Sequence, residues 1–176
     1  EGETADPAIL AMRRQLMKNH ACVLLFALGT PMILGGDEFA RTQGGNNNAY
    51  CQDNDISWFD WDAALAERGL TEFFRKAIAF ARRFPVFQRR KFLLGKDLDT
   101  DKVSDLTWYG PNLDEPRWHD PETRLLCYQL DSNDEGTDVS VDRLFFILNA
   151  QSDSQWVQLP PLPSPHRWYR AIDTSL

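Results

Sequence analysis

The chain has 176 residues, 43% of them hydrophobic, and a formal net charge of −7. That acidic balance argues against nucleic acid or an anionic membrane as partner and leaves a neutral ligand or a protein. A complete (β/α) barrel takes about 250 residues, so the chain is too short to hold one, yet it is long enough to build a real core in one domain or two small ones.

In chain order, Asp6-Pro7 reads as a helix start, because aspartate caps free amides and proline fits the first helical position. Ile9, Met12, Leu16 and Val23 lie close to one stripe, with Leu10, Met17, Ala21, Leu24 and Leu28 beside it, while Arg13, Arg14 and Lys18 face away. From Ala21 to Leu28 the pattern is apolar all round, which predicts a helix end buried on every side and closed by Gly29. The apolar window from Ala21 to Gly36 is too short to span a bilayer and is broken by Gly29-Thr30-Pro31. The run Met32-Ile33-Leu34 suits a short strand covered on both faces, as in a parallel sheet.

Gly35 and Gly36 then interrupt the side-chain wall before Asp37 and Glu38, and a long polar loop follows. It carries Gln43, Asn46, Asn47, Asn48, Gln52 and Asn54, with Arg41, Tyr50 and Asp53 among them. Loops of this kind, fed by a buried strand, are where α/β proteins build their sites, and a sugar is the ligand that so many amides suit. Two readings stand side by side. The asparagines hold the loop's own turns, or Arg41, Asn47, Asn48, Tyr50 and Asp53 contact a sugar, with Tyr50 as a stacking face and Asp53 as an acceptor. Asp37 and Glu38 are neighbours, poorly placed to act as a facing catalytic pair, and are expected to support the floor of the site.

Ser57-Trp58-Phe59-Asp60-Trp61 leads into a short helix predicted from about Asp62 to Arg68 and ended by Gly69. Trp58 and Trp61 read as core anchors before it in preference to sugar platforms. A second helix is expected from a cap at Thr71 to Phe84, where Pro85 stops it, with Phe74, Ala77, Ile78, Ala81 and Phe84 as its apolar stripe. Near Lys91 helical spacing gives way to short β-type runs at Leu106 to Tyr109, Leu125 to Leu130, Leu144 to Leu148, Trp156 to Leu159 and Trp168 to Ile172. Polar or proline-rich turns separate them, which predicts an antiparallel sandwich, with Trp118, Trp156 and Trp168 as core residues.

Cys22, Cys51 and Cys127 are an odd set with no close pairing, and Cys22 in its apolar run reads as a small buried hydrophobe; a reducing, cytoplasmic home is expected. Asp97, Asp99 and Asp101 begin a calcium-loop spacing, but Lys102 occupies the glycine position and Trp108 that of the closing glutamate. His20, His119 and His166 show no metal-ligand spacing, and there is neither a nucleophile elbow nor a phosphate loop. No metal or cofactor is expected.

The wording of the chain also carries a resemblance. GTPMILGGDE, the run from Gly44 to Trp61, Phe84-Pro85-Val86-Phe87, Trp118 with Asp120-Pro121, and Trp168 with Ile172-Asp173-Thr174 occur in an order that resembles the bacterial glycogen debranching enzymes and isoamylases of the α-amylase superfamily, glycoside hydrolase family 13. The resemblance covers nearly the whole chain and implies an α/β plus all-β fold. Residues 1–90 are then the last portion of a (β/α)8 TIM barrel (helix, strand, loop, helix), and 91–176 an antiparallel, incomplete β-sandwich domain. It implies a retaining hydrolase of α-1,6 branch linkages in glycogen or a related α-glucan, whose catalytic carboxylates lie upstream of Glu1. This segment alone is then inactive, and its first helix is prone to self-association. The rival expectation is a non-catalytic glucan-binding or interaction module.

Overall fold

The computed structural model describes residues 2–97, 102–131 and 143–175. They fall into two units, Glu1–Arg83 with Arg170–Leu176, and Phe84–Tyr169. In the first unit, an Asp6 carboxylate oxygen accepts the Ala8 amide at 2.8 Å and Pro7 opens helix α1, Pro7–Leu25. Phe26 ends it by donating its amide to the Cys22 carbonyl, short of Gly29. Ala21, Leu25 and Phe26 are buried, but Met12, Leu16, Val23 and Leu24 are exposed, Val23 by 60%. The expected burial on every side is therefore not met among the described residues. The helix at Arg68–Arg83 packs against α1, and Thr174 and Ser175 lie beside it near Ala8, Ala11 and Met12.

Met32, Ile33 and Leu34 do not form a strand. A strand needs a neighbour for its backbone groups, and none runs beside this segment among the described residues. Met32 and Leu34 point to solvent, while Ile33 packs on the small core of Ala21, Leu70 and Phe74. Asp37 and Glu38 consequently lie on a single 3-10 turn, Asp37–Phe39, rather than at a strand end.

Helix α2 spans Trp61–Ala66 and is capped by Asp60, whose carboxylate accepts the Asp62 and Ala63 amides at 3.0 and 2.9 Å. Helix α3 spans Arg68–Arg83. The break between them falls at Glu67, so Gly69 lies inside the first turn of α3 and Thr71 is not its cap. The Thr71 hydroxyl instead donates to the Glu38 carbonyl at 3.1 Å, tying α3 to the 3-10 turn. Leu70, Phe74 and Ala77 form the buried stripe of α3, Arg82 and Arg83 suit its negative end, and the helix stops before Phe84-Pro85 as predicted. Ile78, expected in the stripe, is at its exposed edge. An Arg14 to Glu67 ion pair at 2.6 Å joins α1 to the start of α3.

The second unit is built on three antiparallel strands in the order β1 (Leu106–Tyr109), β2 (Leu125–Asp131), β3 (Arg143–Asn149). Register sets Trp108 opposite Tyr128 and Tyr128 opposite Phe146, and the last two rings stack with centroids 4.5 Å apart. Phe87, buried on the 3-10 turn Pro85–Gln88, packs edge-on against Phe146. On the opposite face Cys127 is fully buried, and Phe145 meets Trp168. Trp156 to Leu159 and Trp168 to Ile172 are irregular rather than strands. Prolines at 160, 161, 163 and 165 supply no amide to a ladder, and the segment is held by isolated bonds, the Gln158 amide to the Pro111 carbonyl and the Trp168 indole to the Pro160 carbonyl. Trp168 is half-buried, whereas Trp118 and Trp156 are exposed and are not core residues.

Asp105, 2% exposed, organises the start of this unit. Its carboxylate accepts the Leu94, Gly95 and Lys96 amides at 2.7 to 3.2 Å and faces the Arg89 guanidinium at 3.6 Å. Its carbonyl also accepts the Asp131 amide.

Candidate functional site

The amide-rich loop leaves the core through a tight reversal. Gly36 has φ +104°, Ala40 has φ +58°, and the Arg41 amide returns to the Gly36 carbonyl at 2.9 Å. A left-handed backbone is one that glycine adopts without strain and alanine only at a cost. The side chain of Arg41 then passes directly over Gly36: a β-carbon there would lie 2.6 to 2.7 Å from its Cδ and Cβ. Glu38 closes the reversal from the other side, one of its carboxylate oxygens accepting the Gly36 amide at 2.9 Å. The Asp37 side chain is exposed and has no hydrogen-bond or ion-pair partner among the described residues.

Arg41 is half-buried and clamps the two ends of the loop together. Its Nη2 donates to the Ser57 carbonyl at 2.7 Å and to the Ile56 carbonyl at 3.4 Å, Nη1 reaches Gln43 Oε1 at 3.5 Å, and the guanidinium lies 5.2 Å from the centre of the Phe59 ring. Its Nε is buried without a partner among the described residues. Within the loop the asparagines make short-range turns. Asn46 Oδ1 accepts the Asn48 amide, Asn48 Oδ1 accepts the Tyr50 amide, and Asn54 Oδ1 accepts the Ile56 amide, all within 2.9 to 3.1 Å. Asx turns of this kind give a loop a fixed path without a helix or sheet. Cys51 takes a left-handed φ of +59° within it.

The five candidate contact residues thus fall into two groups. Arg41, Asn48 and Asp53 each have polar atoms bonded inside the loop; for Asp53 the partner is the Trp58 indole, which donates Nε1–H to Oδ1 at 2.9 Å. Tyr50, 82% exposed, and Asn47 present side chains without internal partners among the described residues. Trp58 and Trp61 are not core anchors, being 60% and 66% exposed. Trp61 forms with Phe39 and Phe59 an aromatic cluster with centroids 5.6 to 6.0 Å apart, of which only Phe39 is buried. For Trp58 the exposure removes the core-anchor reading that the sequence favoured over a sugar platform. The available signal was an indole four positions after an acceptor-rich stretch, Gln52 to Asn54, rather than inside an apolar stripe.

No group of His, Cys, Asp or Glu side chains that could hold a metal occurs among the described residues. Asp97 accepts the Lys102 amide at 2.9 Å; Asp99 and Asp101 lie outside the described residues. Burial pushes the thiols of Cys22 and Cys127 up to about 11, so both stay neutral; Cys22 is half-buried rather than fully enclosed, and Cys51 is exposed. No helix among the described residues is long and apolar enough to cross a membrane.

No family model matches the chain. In sequence it is similar to the glycogen operon protein GlgX homolog of Mycobacterium tuberculosis, 45% identical over 113 residues that cover 64% of this chain and 16% of that protein. It is 33% identical to the chloroplastic isoamylase 3 of Oryza sativa over 177 aligned positions, 100% of this chain and 20% of the relative. A glycogen debranching enzyme of Pectobacterium atrosepticum is 39% identical over 125 residues, 71% and 18% of the two chains. Among solved structures, a mutant pullulanase of Paenibacillus barengoltzii complexed with maltotetraose superposes with a TM-score of 0.61 at 21% identity, covering 90% of this chain and 21% of that one, a likeness of fold. The chain spans 16 to 20% of the length of these curated relatives. It is a relative of the glycogen debranching enzymes and isoamylases, corresponding to a part of their length.

Proposed function

We propose that this chain is the carboxyl-terminal portion of a debranching enzyme that hydrolyses α-1,6-glucosidic branch linkages in glycogen or a related α-glucan. The observation that carries the reading is a sequence likeness that extends over the whole chain in the isoamylase relative and reaches 45% identity over 64% of it in a glycogen operon protein homolog. Residues 1–90 are then the end of a (β/α)8 barrel and residues 91–176 its β-sandwich domain. The open faces of α1 and the bare Met32 and Leu34 support this, because apolar surface of that extent is built to be covered. Isolated, the same surface favours self-association. Three unpaired cysteines support a cytoplasmic setting.

Retaining hydrolysis needs two carboxyl groups facing each other about 5 to 5.5 Å apart. Asp37 and Glu38 are consecutive on one turn, and Glu38 is tied to the Gly36 amide. On this reading the nucleophile and the acid are supplied by other parts of the parent enzyme, and this chain supplies glucan contacts. Tyr50 and Asn47 make them directly. Arg41, Asn48 and Asp53 hold the loop that presents them, and Glu38, bonded to the Gly36 amide, supports its base, whereas the exposed Asp37 side chain does not. The test is the complete enzyme on branched against linear glucan. Cleavage of branched substrate only is expected, with no reducing sugar released by the 176-residue chain alone. Release by that chain, abolished by Asp37→Asn or Glu38→Gln, overturns the assignment of catalysis to other parts of the parent enzyme. A complete protein that binds glucan without cleaving it favours a non-catalytic binding module instead.

A further inference from the structure

An exposed tryptophan on a loop ordinarily samples several orientations, since little packs against it. Trp58 is 60% exposed, yet it is held at both of its ends. Its indole N–H donates to Asp53 Oδ1 at 2.9 Å, a hydrogen bond made stronger by the acceptor's charge. Its backbone amide donates to the Asn54 carbonyl at 3.0 Å, and the preceding carbonyl, that of Ser57, receives the Arg41 guanidinium at 2.7 Å. No other aromatic ring covers it among the described residues. The result is a large flat apolar surface, fixed in direction, turned to water and edged by the Asp53 carboxylate.

We infer that Trp58 is a stacking face for one glucose unit of an α-glucan and that Asp53 is its positioning residue. A pyranose ring carries C–H bonds on its faces and hydroxyls around its rim, so it matches an indole plane with a carboxylate at its edge, an apolar surface beside a placed polar group as in small-ligand sites. Fixing the ring beforehand removes the ordering cost that a mobile side chain imposes on binding. Asp53 acts through the indole rather than on the sugar, which separates its charge from its role as acceptor: asparagine at 53 keeps an acceptor for the N–H, and leucine does not.

The glucan platform rests on the glucan-processing reading, and the two fail separately. In the complete enzyme, Trp58→Ala is expected to raise KM for branched glucan on the order of tenfold with kcat within about twofold, and Trp58→Phe, which keeps a ring, to raise it only about threefold. Asp53→Leu should follow Trp58→Ala, and Asp53→Asn should stay within about threefold of the parent. Melting temperatures of all four variants are measured alongside, and Trp58→Phe decides the matter if Trp58→Ala does not fold. Maltotetraose added to the parent should shift the tryptophan emission, and Trp58→Phe should lose that shift while still binding by calorimetry. An unchanged KM in folded Trp58→Ala, Asp53→Asn as damaging as Asp53→Leu, a shift that survives in Trp58→Phe, or a parent that does not bind maltotetraose would each overturn the inference. A parent that binds maltotetraose through Trp58 but cleaves no branch leaves the platform standing and removes the debranching reading.

Discussion

The two units of this chain differ in where their polar groups lie: the buried polar and charged side chains among the described residues are all in the sheet unit, while both units expose large apolar side chains. The sheet unit encloses polar and charged groups: Asp105, Gln129 and Asp131 are all buried, with Asp105 serving three amides and Asp131 bonded to Arg143 Nε at 3.0 Å. The helical unit leaves hydrocarbon outside, with Met12, Leu16, Val23, Leu24, Met32 and Leu34 all exposed. An antiparallel sheet finds its hydrogen-bond partners within one stretch of chain, so three strands joined in sequence order complete their own ladder. A helix apolar on several faces needs several neighbours, and α1 has α3 on one of them. Burial inside the first unit is thus set by what is packed against it, and burial inside the second by its own sequence.

The contrast can be broken most severely at Asp105. Asp105→Ala leaves three amides and the Arg89 charge without their buried acceptor and should destabilise the sheet unit by about 3 to 5 kcal/mol in urea titration; a loss under about 1 kcal/mol would mean that the carboxylate is not what closes this unit. A smaller effect is expected in the helical unit at Arg41. Arg41→Ala removes charged donors from the Ser57 and Ile56 carbonyls, worth about 1.5 to 3 kcal/mol, and should loosen the loop enough for proteolysis between residues 43 and 57 while α1 and α3 keep their circular dichroism. If the loop stays resistant, its Asx turns are sufficient without the clamp. The smallest change in stability is expected at Val23. Val23→Ser on the open face of α1 should alter stability by no more than about 0.5 kcal/mol and reduce self-association in sedimentation at high concentration. A substantial fall in stability there would show that the face is covered after all.

What could be read from the residues alone follows the same division. Asp6, Pro7 and Pro85 mark helix ends through their own chemistry, and α1 and α3 begin and stop at those signals. The runs around Leu106, Leu125 and Leu144 pair because each finds the next in register. Met32 to Leu34 has the composition of a buried strand, but a strand is a property of two segments, and its partner is not among the described residues. Gly69 misled for a different reason: glycine in the first turn of a helix costs little, and the break was decided instead by hydrogen bonds at Glu67. Trp156 to Leu159 alternates like a strand, yet the prolines after it leave no ladder to join. In the loop, the amide content and the family likeness were legible, and the relatives match that reading. The partners of Arg41 and Asp53 were not. Which carbonyl a guanidinium meets depends on where the chain comes back, and for Arg41 that is sixteen residues later.

The left-handed turn at Gly36 bears on how such a loop could be moved between proteins. Any β-carbon at this position would collide with the stem of Arg41, so a larger residue at 36 displaces the side chain that fastens the far end of the loop at Ser57. Gly36 and Arg41 therefore form an inseparable pair for grafting: a chimaera that imports residues 43–57 onto another scaffold must import both, or the insert arrives with its sequence intact and its ends unfastened.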